Sequence, residues 1–141
     1  MEERDFGVLL LTHGELAKGY ESALKLALNM EESQLDILCL KAGEGLDEFG
    51  DRIEAVLDEK YRDECVVILL DLPGGTPANI ALRFMSESRK LIAGINLVIA
   101  LEVMIEKLNH TLWKDLNLDR IVEDGKNSIV YYNRLVKEGL L

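Results

Sequence analysis

The chain has 141 residues, 48% of them hydrophobic and 30% charged. That is enough for a buried core, with the balance of a folded globular protein rather than a disordered one. A formal net charge of -10 argues against nucleic acid, whose phosphates repel an acidic surface, although Lys18, Lys25, Arg83 and Lys90 are free to form a local basic patch.

The order of elements alternates strand and helix. Phe6 to Thr12 reads as a buried first strand running into His13 and Gly14, and Glu15 to Met30 as an amphipathic helix with Leu16, Tyr20, Ala23, Leu24, Ala27 and Leu28 on one face. Gln34 to Leu40 is a second strand. A loop at Lys41-Ala42-Gly43-Glu44-Gly45 leads into a helix from Leu46 to Tyr61 that carries Phe49, Ile53, Val56 and Leu57 inward. Glu64 to Asp71 is the most apolar strand, so it belongs at the centre of the sheet, covered on both faces. After Leu72-Pro73-Gly74-Gly75-Thr76-Pro77 a helix is predicted over Ala78 to Ser86, with Pro77 suited to its first turn. A short fourth strand is predicted at Ile95 to Ala100, then helices at Leu101 to His110 and Leu118 to Val136, the last weakened by Gly125.

Repeated β-α-β units with right-handed crossovers give a doubly wound α/β fold, a mostly parallel sheet with helices on both faces. No internal repeat or linker divides residues 1–141, so one domain is expected. The charged N-terminus Met1-Glu2-Glu3-Arg4-Asp5 has no cleavage-like site after it. The longest apolar region, Leu91 to Ile105, is interrupted by Asn96 and Glu102 and is too short for a bilayer. The expectation is a soluble, cytoplasmic protein, with Cys39 and Cys65 as reduced thiols in or beside buried strands.

Ligands and chemistry in open α/β folds collect at the carboxyl edge of the sheet. His13 follows strand one and Asp71 follows strand three; with strand order 2-1-3-4 the two loops are neighbours. A carboxylate that holds one ring nitrogen fixes the tautomer and leaves the other nitrogen a lone pair able to attack phosphorus. A transferring phosphoryl group needs hydrogen-bond donors around its oxygens. Gly14 at the start of the first helix, with Gly74, Gly75 and Thr76, can present backbone amides, glycine letting the backbone approach an anion. His110 reads as a surface or structural residue, and Trp113 as packing or interface.

These residues resemble a family. Thr12-His13-Gly14 together with Asp71-Leu72-Pro73-Gly74-Gly75-Thr76-Pro77-Ala78-Asn79 is similar to the IIA component of the mannose family of the bacterial phosphoenolpyruvate-dependent sugar phosphotransferase system (PTS). Ile92-Ala93-Gly94-Ile95-Asn96 and Glu102 extend the likeness over nearly the whole chain. The resemblance implies that His13 accepts a phosphoryl group from the phosphocarrier protein HPr and passes it to a IIB partner, which phosphorylates sugar entering through membrane IIC and IID subunits. It implies Asp71 as the orienting partner, Nε2 as the phosphorylated nitrogen, and neither metal nor cofactor. It also implies a homodimer, with Trp113 and the C-terminal segment in or near its interface and an antiparallel C-terminal strand exchanged between subunits. Ser128 to Tyr132 is β-prone enough to supply that strand and reads equally as helix. The chain lacks the IIB extension of some members, which implies a separate IIA protein. Two other readings are a module that senses phosphorylation state without relaying it, and a receiver-type domain phosphorylated on Asp71. The receiver reading lacks the further acids after strand one that would hold magnesium.

Overall fold

A computed structural model describes residues 3–141; Met1 and Glu2 of the charged N-terminus lie outside the described residues. A four-stranded parallel sheet has the order β2-β1-β3-β4. Its strands are β1 (Phe6–His13), β2 (Asp36–Leu40), β3 (Cys65–Leu70) and β4 (Arg89–Ala93). Around it lie α1 (Leu16–Ala27), α2 (Leu46–Lys60), α3 (Thr76–Ala81), α4 (Leu97–Leu108), α5 (Leu118–Asn127) and α6 (Tyr132–Lys137).

Both central strands are covered on both faces, and the alternation of their side chains sorts the core into two halves. Val8, Leu10, Val67 and Leu69 pack with α1, α4 and α5 through Leu24, Val103, Met104 and Ile121. Leu9, Leu11, Val66, Ile68 and Leu70 face the other way, onto Phe49, Ile53 and Leu57 of α2 and Ile80 of α3. Trp113 is buried in the first half against Phe6, ring centroids 6.1 Å apart, with Lys90 over its face and its Nε1–H donating to the Glu87 carbonyl. It is therefore occupied inside the chain's own core. Cys65 is buried, which pushes its thiol pKa up, whereas Cys39 on the edge strand β2 is only partly covered.

Three elements differ from the sequence reading. The fourth strand is Arg89–Ala93, not Ile95 to Ala100. Gly94, at φ +82°, turns the chain, and Asn96 caps α4 by accepting the Ile99 N–H at 3.0 Å, so the apolar run that reads as a strand is helical from Leu97. The third helix begins at Thr76 and gives way to a 3-10 turn at Leu82–Phe84. The long C-terminal helix is broken: the Gly125 carbonyl accepts both Asn96 Nδ2 and the Ser128 hydroxyl at 2.8 Å, and α5 stops before α6 starts at Tyr132. Residues 129–131 pair with no strand, and Ile129, Val130 and Tyr131 are exposed.

Gly125 also explains why α5 lies so close to α4. A Cβ on it would stand 2.2 Å from Ile99 Cγ1, so only a bare backbone fits beneath that side chain. The first helix differs in one detail: Leu16, expected inward, is 48% exposed at the site edge, while Ala17 and Leu24 are buried.

Candidate functional site

His13 is the last residue of β1 and is paired in register with Leu40 of β2. Asp71 follows the last residue of β3, so the strand order puts the two side by side. One carboxylate oxygen, Asp71 Oδ2, accepts the His13 backbone N–H at 3.0 Å and faces His13 Nδ1 at 2.9 Å. Oδ1 accepts the Leu72 N–H at 3.0 Å. A carboxylate only accepts, so Nδ1 carries the proton, and in the neutral ring Nε2 keeps its lone pair. The Asp71 side chain is 8% exposed and that of His13 is 43% exposed. The imidazole is thus held at Nδ1 and partly exposed.

Three further groups hold this corner. Thr12, fully buried, accepts the Ala17 N–H on Oγ1 at 2.8 Å and anchors the first turn of α1 to the end of β1. The Asn79 amide donates to the Gly74 carbonyl at 3.2 Å and braces the loop between β3 and α3. Gly74 has φ +79°, a conformation that favours glycine. Thr12 and Asn79 stand within the motif without being among the site residues that the sequence suggests. An oxygen-bearing side chain just before a predicted helix is the cue for the first; the second is marked only as the last position of the motif itself. Tyr20 of α1 is partly buried, and burial followed by the charge of Asp71 raises its phenol pKa.

The backbone amides of the glycine loop and of Gly14 differ in their engagement. The N–H groups of Gly74, Gly75 and Thr76 have no acceptor among the described residues. The Gly14 N–H donates to the Leu40 carbonyl at 2.9 Å and so belongs to the sheet edge. Gly14 contributes a left-handed turn at φ +51° between His13 and α1 rather than an amide for an anion. Both oxygens of Asp71 are engaged and the side chain is nearly buried, an unfavourable acceptor for a receiver-type phosphorylation. His110 lies far along the chain, exposed, with Nδ1 3.3 Å from Asp5 Oδ2.

Residues 7–118 match the family model described as the PTS system fructose IIA component, of the mannose type. The chain belongs to this family. It is 32% identical over 114 residues to the fructose-specific EIIA component of the PTS of Bacillus subtilis (strain 168), spanning 77% of this chain and 75% of that protein. The crystal structure of the PTS IIA protein associated with the fucose utilization operon of Streptococcus pneumoniae superposes with a TM-score of 0.81 at 26% identity, covering 96% of this chain and 99% of that one. The mannose/sorbose-specific IIA subunit of Enterococcus faecalis shares the fold, with a TM-score of 0.78 at 23% identity over 90% of this chain and 94% of that one. Membership of the IIA family carries a phosphotransfer role in a sugar PTS. Among the described residues no helix is long and apolar enough to cross a membrane.

Proposed function

We propose that this IIA component is a phosphohistidine relay in which His13 Nε2 takes a phosphoryl group from phospho-HPr and yields it to a IIB protein. The observation that carries the reading is the Asp71–Nδ1 contact on a ring whose side chain is 43% exposed. In the transfer, the bond between phosphorus and the donor's ring nitrogen breaks as one forms to His13 Nε2. With the Nδ1 proton retained, the acceptor ring becomes cationic, and the Asp71 carboxylate against it offsets that charge. Gly74, Gly75 and Thr76 are the amides we assign to the phosphoryl oxygens, without Gly14. The return step to IIB is the same exchange in reverse, which requires two proteins to reach one nitrogen in turn. Leu16, Leu46 and Leu72, each about half exposed at the same sheet edge, give that face an apolar rim suited to protein partners.

The same reading makes the protein cytoplasmic, residues 1–141 a single domain, and the link to membrane IIC and IID subunits one that runs through IIB. It also makes it a homodimer: the exposed apolar residues from Ile129 to Tyr132 and the open edge of β4 support exchange of the C-terminal segment between subunits. Incubation with phosphoenolpyruvate, enzyme I and HPr should add one acid-labile, base-stable phosphoryl group to the wild type and none to His13→Ala. Label on the His13→Ala protein would refute the assignment. A phospho-form that no cognate IIB discharges would instead favour a sensor of phosphorylation state.

A further inference from the structure

The loop after β3 contains two adjacent glycines, and the structure gives them different reasons to be there. Gly74, at φ +79°, is a residue whose backbone conformation selects glycine. Gly75 is not: its φ of -83° and ψ of 172° lie in the extended region that any residue adopts. A Cβ built on Gly75 meets only one side chain, the His13 imidazole, at 2.7 Å from Cε1 and 3.2 Å from Nε2. The ring therefore lies flush against bare backbone, in space that any side chain at position 75 would take.

The ring cannot step aside cheaply. Its Nδ1 is held by Asp71 Oδ2, and the same carboxylate is fixed by the His13 and Leu72 backbone amides. Moving the imidazole away from position 75 stretches or breaks the Nδ1 contact, because Asp71 has no freedom to follow.

We propose that Gly75 is a positioning residue: its missing side chain keeps the His13 imidazole seated on Asp71 and so decides which ring nitrogen is presented for phosphoryl transfer. The inference rests on the relay reading above, and it reassigns Gly75 from a mere donor of a backbone amide to the wall that sets the ring. With the contact to Asp71 intact, the proton stays on Nδ1 and Nε2 is the nucleophile. With the ring displaced, the proton is free to move to Nε2, where it blocks attack, and Nδ1 becomes the competing acceptor.

The test is Gly75→Ala, compared with the wild type by three measurements. Long-range 1H–15N NMR of the unphosphorylated imidazole should show Nδ1–H in the wild type and a shift toward Nε2–H in the variant. Transfer from phospho-HPr should fall by about 100-fold, the scale of a misplacement near 1 Å, and 31P NMR of the product should show phosphate appearing on Nδ1. Thermal melting completes a double-mutant cycle. Gly75→Ala should lower the melting temperature of the wild type but leave that of His13→Ala unchanged, since the added methyl meets only the ring. Gly19→Ala, at an exposed helical glycine with open space around it, controls for a generic added methyl.

An unchanged tautomer in Gly75→Ala overturns the inference whatever the transfer rate. So does a loss of stability as large in the His13→Ala background as in the wild type. A wild-type protein that accepts no phosphoryl group refutes the relay reading instead, and the tautomer measurement still decides the role of Gly75.

Discussion

Where α5 crosses α4, Gly125 and Ile99 form a contact whose energetics can be worked in both directions. An alanine at 125 gains up to about 1 kcal/mol of helix propensity over glycine. Against that, its Cβ would sit 2.2 Å from Ile99 Cγ1 and 2.6 Å from Cδ1, far inside van der Waals contact. Overpacking of this kind costs roughly 1–3 kcal/mol, so Gly125→Ala should destabilise by about 0–2 kcal/mol net. Ile99→Ala removes a 5% exposed side chain and should cost about 2–5 kcal/mol, part of it the cavity left behind. In the double variant the new methyl enters the space that Ile99 vacated. The clash with Ile99 disappears, leaving the tight 3.3 Å approach to Asn96 Oδ1; the propensity gain remains and the cavity shrinks, so the pair should be less destabilised than Ile99→Ala alone. The coupling should favour the double variant by about 1–3 kcal/mol relative to additivity. Urea unfolding monitored by Trp113, the single tryptophan and a buried one, reads all four proteins with one probe. Additive costs, or a double variant worse than Ile99→Ala, would show that the steric account of the α4–α5 contact is wrong.

Thr12→Val keeps the shape of a fully buried side chain but removes the acceptor for the Ala17 N–H; it should cost about 1–3 kcal/mol and slow phosphotransfer, whereas Thr12→Ser should keep the bond and most of the rate. Gly19→Ala in α1 should stabilise by about 0.5–1 kcal/mol, seen as a higher melting temperature with no change in transfer rate. Glu102 makes a pH prediction. Burial, then the neighbouring Asp124 carboxyl and its charge, raises its pKa, Glu106 adds to the rise and Arg120 opposes it. The fold therefore favours the protonated carboxyl. That contribution is fully present below the unfolded value of about 4.3 and is lost as pH rises through the higher folded value. Glu102→Gln should melt above the wild type at pH 7, with the gap closing toward pH 4; a gap that is constant with pH would remove Glu102 as its source.

Much of the site was legible in the sequence because the central strands are apolar throughout. Leucine and valine runs at β1 and β3 read as buried parallel strands, and strand order then brings His13 beside Asp71 without any knowledge of contacts. The edges were harder. β4 opens with Arg89 and Lys90, and its outer positions are partly exposed, so its pattern is weaker than that of the run at 97–105. That run is apolar because α4 is covered by both the sheet and α5, and a buried helix segment is not told from a strand by periodicity alone. The break between α5 and α6 depends on Asn96 reaching Gly125 from another element, which no local pattern encodes. Gly14 and Gly75 are alike as letters. Their separate roles arise from a carbonyl on β2 and a ring on β1, each distant in sequence.

Asp71 also does something for the sheet itself. The β1–β3 ladder ends at Leu11 and Leu70, and the Asp71 carboxylate reaches past that end to take the His13 backbone amide. The group that orients the imidazole is thereby a fastener for two strand ends, while His13 keeps that backbone bond whatever its side chain. The two residues should separate in a saturation scan. Scored on cellular abundance, position 13 should tolerate small polar substitutions and position 71 should not. Scored on sugar uptake, both should be intolerant. Loss of abundance at 71 without loss at 13 would distinguish a residue selected for two reasons from one selected for its chemistry.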